Sequence, residues 1–109
     1  MKYNDYKNIA AQLEKPKKIV LSAHSNPDGD TIGSCLALYH YLVQFGHEVE
    51  VVSPNEAPAF LQWLPSYEKV LIYDKDPIRV EQSIKEAELL FCVDYNAFHR
   101  TGEKVAQLL

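Results

Sequence analysis

The chain has 109 residues, of which 47% are hydrophobic and 24% are charged, and its formal net charge is -4. This length suits one domain, and the acidic balance excludes a broad basic surface for sequence-blind binding of duplex nucleic acid. No apolar run approaches the about 20 residues of a membrane-spanning helix, and residues 1–6 lack the apolar core of a secretory signal. We therefore expect a cytoplasmic protein without membrane association.

The first half of the chain alternates helical and strand patterns. Residues 3–14 have the apolar spacing of a short amphipathic helix, and residues 19–21 form an apolar run typical of a buried strand. Apolar residues recur at helical spacing from 31 to 45, and Gly46 is placed to close that helix. The valines of residues 49–52 predict a second strand.

Residues 54–68 contain three prolines, which predicts a loop with a short helix around residues 60–64. Trp63 lies in that apolar segment, and we expect it in the core or in contact with another domain. Stacking of a nucleobase on Trp63 is the alternative. Residues 70–73 predict a third strand.

The last part of the chain repeats the alternation. Asp76 followed by Pro77 is typical of a helix start, so we predict a helix that runs to about Ala87. Residues 89–93 predict a fourth strand, and a further helix begins near Gly102. The alternation indicates an α/β, Rossmann-like fold with a parallel sheet and helices on both faces, whose sites lie beyond the carboxyl ends of the strands.

Polar residues directly follow the first strand. His24, Asp28 and Asp30 place one imidazole and two carboxylates within seven residues, a set that suits manganese, magnesium or iron. Because Pro27 and Gly29 bend the chain, His24 and Asp28 can approach one ion while Asp30 approaches a second. Two ions about 3.5–4 Å apart can bind both the attacking and the leaving oxygen of a phosphoryl displacement.

The alternative is that Asp28 or Asp30 only caps the helix that follows. A further acid, Asp94, ends the fourth apolar run and favours the metal interpretation. The two cysteines, Cys35 and Cys92, lie in apolar segments and form no C-x-x-C pair. We expect both to be reduced core thiols, and thiolate–zinc chemistry has no support.

The segment 24–34 resembles the first motif of the DHH phosphoesterases, H-x-N-P-D-G-D-x-x-G-S, especially in their oligoribonuclease and phosphoadenosine-phosphate phosphatase branch. Asp94, followed by His99-Arg100-Thr101-Gly102, is similar to the second motif. The Asp-His-His motif that names the family does not occur in the 109 residues. The resemblance therefore implies the N-terminal part of a DHH phosphoesterase domain, residues 1–109, without the C-terminal DHHA1 domain and inactive alone.

The resemblance also implies a ligand set. His24 and Asp28 would hold one metal, Asp30 the other, and Asp94 would lie between them. Two Mn²⁺ ions are implied, with Mg²⁺ as the alternative. Arg100 either contacts a substrate phosphate or forms a salt bridge near the site.

The implied activity is hydrolysis of short oligonucleotides or of nucleotide phosphates such as 3'-phosphoadenosine 5'-phosphate, by a longer protein. The resemblance leaves open whether that protein is a homodimer. Within the family, cyclic dinucleotide phosphodiesterases and single-strand exonucleases are alternatives. A non-catalytic nucleotide-binding or regulatory α/β module is the alternative from another class. An Asp-His-His motif encoded beyond residue 109 would favour the enzyme, whereas a stop codon there would favour the module.

Overall fold

The computed structural model of this chain describes residues 3–93 and 102–109. Its helices and strands, in chain order, are α1 Tyr3–Gln12, β1 Lys18–Ser22, α2 Gly29–Val43, β2 Glu48–Ser53, β3 Leu71–Ile72, α3 Pro77–Glu86, β4 Leu89–Cys92 and α4 Glu103–Ala106. Two 3₁₀ turns, Ala59–Leu61 and Tyr67–Lys69, lie between β2 and β3. No helix in these described ranges has the length and apolarity to cross a membrane.

The four strands form one parallel sheet in the order β3-β2-β1-β4. The chain moves from β1 to β2 to β3 in one direction, and after α3 it crosses to the other side of β1 to form β4. The strand order therefore reverses between β1 and β4, which is where ligands bind in open α/β sheets. The expected α/β fold with a parallel sheet is confirmed.

Alternate residues of β1 point to opposite faces of the sheet, which gives two apolar cores. Ile19 and Leu21 pack in one core, together with Ile32 and Leu36 of α2. Val20 packs in the other core, which contains Val80 of α3 and is flanked by Leu108 just after α4. Helices therefore cover both faces of the sheet, as predicted.

Two side chains differ from the sequence prediction in their burial. Cys35 is buried in the core, but Cys92, the last residue of β4, is exposed, so the prediction of two core thiols is wrong for Cys92. β4 is paired with β1 alone among the described strands, which leaves its far edge open. Trp63 is 75% exposed, so of its two predicted placements the core is wrong, and contact with another domain stays a prediction.

The sheet face that packs against α3 contains a polar cluster around Glu50. This side chain is only 16% exposed, and its carboxylate forms a salt bridge with Arg79. The hydroxyl of Ser83, which is fully buried, donates a hydrogen bond to Glu50 Oε1 at 2.9 Å. Lys18 Nζ lies 3.7 Å from the same oxygen. Glu50 therefore supplies the acceptor that a buried hydroxyl needs.

Glu50→Ala is expected to lower the free energy of unfolding by about 1–3 kcal/mol, because it leaves the Ser83 hydroxyl buried without this acceptor. Chemical denaturation of the purified chain measures the change. Glu81→Ala is the matched control, since Glu81 pairs with Lys85 one turn away on the surface of α3. That pair is expected to contribute about 0.3–0.5 kcal/mol. Equal losses in the two variants would contradict the account of the cluster.

Candidate metal centre

The motif loop, residues 24–30, connects the carboxyl end of β1 to the first turn of α2. Asp28 is the N-cap of α2: its backbone is extended, and its Oδ1 accepts the Thr31 N–H at 2.9 Å. α2 therefore begins at Gly29, two residues before the predicted start. Asp30 lies in the first helical turn, and both carboxylates are exposed.

Asp28 thus has the capping role that the sequence left open as an alternative to metal binding. The two roles are compatible, because a carboxylate has two oxygens and the described cap uses one of them. The pKa of Asp28 is lowered mainly by the hydrogen bond from the Thr31 backbone. The carboxylate is therefore ionised at neutral pH, which is the form that binds a cation.

His24 is only 6% exposed, and both of its ring nitrogens have hydrogen-bond contacts. Nδ1 lies 2.8 Å from the carbonyl oxygen of Ser25. Because a carbonyl oxygen only accepts, Nδ1 is the protonated nitrogen. In the neutral ring Nε2 then holds the lone pair and accepts the hydroxyl of Thr31 at 2.7 Å.

This arrangement is the one that metal-binding histidines use. Their second ring N–H is usually donated to a carbonyl or a carboxylate, which fixes the tautomer and the orientation of the ring. Here the Ser25 carbonyl does so at Nδ1. Nε2 is then the ligand atom of His24, and a cation bound there would take the place of the Thr31 hydroxyl, because the neutral ring has one lone pair at Nε2. Thr31 contacts both predicted ligands, Asp28 through its backbone and His24 through its hydroxyl. The sequence analysis gave Thr31 no such role.

The loop that follows β2 is hydrogen-bonded to the motif loop through Asn55. The N–H of Asn26 donates to Asn55 Oδ1 at 2.7 Å, and Nδ2 of Asn55 donates to Asn26 Oδ1 at 2.6 Å. Asn26 has a positive φ of 52°, a left-handed conformation that asparagine tolerates better than most residues. Asn55 was missed by the sequence analysis because the contact joins residues 29 positions apart.

The other predicted ligand, Asp94, and the predicted substrate contact, Arg100, lie outside the described residues. The strand that leads to Asp94 is in the expected place, because β4 pairs with β1 and the Val93 N–H donates to the Ser22 carbonyl at 3.0 Å. Within the described ranges, no three His, Cys, Asp or Glu side chains are close enough to hold a metal ion together. His24, Asp28 and Asp30 are donor types that suit Mn²⁺ or Mg²⁺. The complete ligand set stays a prediction.

A pocket with a mixed polar and apolar lining lies beside the motif loop, at the carboxyl ends of β1, β2 and β3. Its volume is about 370 Å³, which is within the range of small-molecule sites. Its lining includes Ser25, Asn26, Asn55, Tyr73, Asp74 and Lys104. Among the described residues, the lining would offer a ligand bound at the motif loop several hydrogen-bonding groups, the Lys104 cation and the Asp74 carboxylate.

Comparison with known proteins gives a consistent result. Residues 18–108 match the family described as DHH family, N-terminal domain. The chain is 34% identical to an exopolyphosphatase-related protein from Bacteroides fragilis whose structure superposes with a TM-score of 0.94, over 98% of this chain and 31% of that one.

Two kinds of curated relative are similar in sequence. A probable manganese-dependent inorganic pyrophosphatase from Exiguobacterium is 30% identical over 87 residues, covering 80% of this chain and 27% of the relative. The bifunctional oligoribonuclease and PAP phosphatase NrnA of Thermus thermophilus is 43% identical over 51 residues, covering 47% of this chain and 15% of the relative. The chain thus spans under a third of the length of each of these relatives.

Proposed function

Since this chain belongs to the DHH family, as its N-terminal domain, we propose that the whole protein is a metal-dependent phosphohydrolase of short oligonucleotides or nucleotide phosphates. The observation that carries the proposal is the motif loop at the strand-order reversal. It presents His24 Nε2 beside an ionised Asp28, with Asp30 in the next helical turn.

In this proposal His24 and Asp28 hold one divalent cation and Asp30 the other, with Asp94 between them. The cations supply positive charge that offsets the negative charge developing on the phosphoryl oxygens. The chain's own residues prepare the geometry: the Ser25 carbonyl sets the tautomer of His24, and the Thr31 hydroxyl occupies the Nε2 position that a cation would take. The N-terminus of α2, fifteen residues long, favours an anion at the same place.

The names of the relatives support manganese and phosphate-ester or phosphoanhydride substrates. We favour nucleotide substrates because the motif residues resemble the oligoribonuclease branch and because identity to the Thermus enzyme is 43% over the matched 51 residues. The pocket beside the motif loop gives a nucleoside a place to bind. Inorganic pyrophosphate is the second candidate, since two relatives are named as pyrophosphatases.

A substrate panel tests the proposal. The whole protein, with Mn²⁺ and with a chelator as control, is assayed on RNA of two to five nucleotides, an adenosine 3',5'-bisphosphate, a cyclic dinucleotide and inorganic pyrophosphate. We expect Mn²⁺-dependent hydrolysis with kcat/KM for the short RNA or the bisphosphate at least about tenfold above that for pyrophosphate, a margin that corresponds to about 1.4 kcal/mol. Faster pyrophosphate hydrolysis would replace this substrate assignment, and no hydrolysis of any substrate would favour the non-catalytic module.

A further inference from the structure

Asn55 connects the motif loop to the sheet. Its side chain forms two hydrogen bonds with Asn26, one to the backbone N–H and one from its own amide to the Asn26 side chain. Asn26 lies two residues after His24 and two residues before Asp28. The two bonds therefore act at the midpoint of the backbone between two predicted metal ligands.

Asn55 is itself fixed to the framework. The hydroxyl of Ser53, which is 1% exposed at the end of β2, donates to the Asn55 carbonyl at 2.7 Å. Pro54, between them, is buried. Because β2 pairs with β1 along its length, the position of Asn55 is tied to the strand from which the motif loop begins.

The backbone that Asn55 holds is one that needs support. Asn26 has a φ of 52°, a conformation that asparagine adopts more readily than most non-glycine residues but that still depends on local contacts to persist. A change of this φ would rotate the chain between His24 and Asp28 and would move their side chains relative to each other. Metal sites lose affinity when residues that orient their ligands are removed.

We propose that Asn55, which lies outside the H-x-N-P-D-G-D motif, is a positioning residue for the metal site. It acts through Asn26 and sets the separation of the His24 imidazole and the Asp28 carboxylate. The inference rests on the proposed function, because it takes these two residues as ligands.

The test is Mn²⁺ binding by the chelator-treated whole protein, followed by the electron paramagnetic resonance signal of free Mn²⁺. Asn55→Ala is expected to raise the dissociation constant about 10- to 100-fold. It is also expected to lower kcat more than it changes KM, with partial recovery of kcat as Mn²⁺ is raised. Asn8→Ala, an exposed asparagine on α1, is the matched control and should change neither quantity.

A double mutant separates positioning from a general loss of stability. Asn26→Gly removes the side-chain partner while glycine accepts the positive φ, and combined with Asn55→Ala it should lose little more than Asn55→Ala alone. A lowered melting temperature of the metal-free Asn55→Ala protein with unchanged Mn²⁺ affinity would show a structural role only and would overturn the inference. Failure of the unmutated protein to bind Mn²⁺ or to hydrolyse any substrate would instead reject the proposed function, and the inference with it.

Discussion

Asp30→Ala in the whole protein is expected to reduce hydrolysis by at least about 100-fold at saturating Mn²⁺, while the protein keeps its fold. In the proposed site Asp30 is the residue of the motif loop that holds the second cation, and loss of a partner that merely orients a ligand already costs about 10- to 100-fold. Stability should change little, because Asp30 is exposed in the first turn of α2.

Asp76→Ala is the matched control for this prediction. Asp76 is also an exposed acid at the start of a helix, and its Oδ1 accepts the Arg79 N–H at the N-terminus of α3. Its loss should cost about 0.5–2 kcal/mol of stability and leave turnover unchanged. The two variants are therefore expected to show opposite patterns in melting temperature and in kcat. Normal turnover by Asp30→Ala at saturating Mn²⁺ would show that Asp30 is not a ligand.

The second large effect concerns the 109-residue chain by itself, which is expected to bind one divalent cation weakly and to hydrolyse nothing at a useful rate. Four side chains, His24, Asp28, Asp30 and Asp94, would have to serve two ions that each prefer about six ligands. Three of the four are acidic, so a first cation is still attracted. A second would bind more weakly, and the clamp on the attacking and leaving oxygens would not assemble.

Titration of Mn²⁺ into the purified chain tests this second prediction. Binding to the folded state raises the melting temperature by mass action, so a small rise is expected, with no hydrolysis of short RNA or of an adenosine bisphosphate. Glu81→Ala, which removes a surface acid from α3 away from the motif loop, should show the same rise. Robust Mn²⁺-dependent turnover by the chain, free of contaminating nuclease, would mean that the four residues suffice.

Much of the fold could be predicted from the sequence because the strand runs are short and apolar and the helical segments have apolar residues at helical spacing. The start of α3 at Pro77 with Asp76 as its N-cap is confirmed. The pairing of β4 with β1 could be expected from the site itself, since a shared metal centre requires the two strand ends to meet. The start of α2 was placed two residues late, because the capping role of Asp28 was left as an alternative.

The supporting contacts of the site could not be predicted in the same way. Asn55 follows a proline in a loop, and nothing local in the sequence shows that its amide reaches Asn26. Thr31 occupies a variable position of the motif, and its contact with His24 depends on how the first turn of α2 packs against the end of β1. The core placement of Trp63, one of the two that were predicted, followed from its apolar neighbours, but Leu61 of the preceding 3₁₀ turn packs against the core and the indole is exposed.

The central claim is that His24, Asp28 and Asp30 hold metal ions at the carboxyl end of β1. Crystals of the whole protein grown with Mn²⁺, measured on both sides of the manganese absorption edge, would test it most directly. The account predicts two anomalous peaks about 3.5–4 Å apart, one bonded to His24 and Asp28 and the other to Asp30, with Asp94 between them. A protein that hydrolyses phosphate esters with no manganese peak within bonding distance of these residues would contradict it.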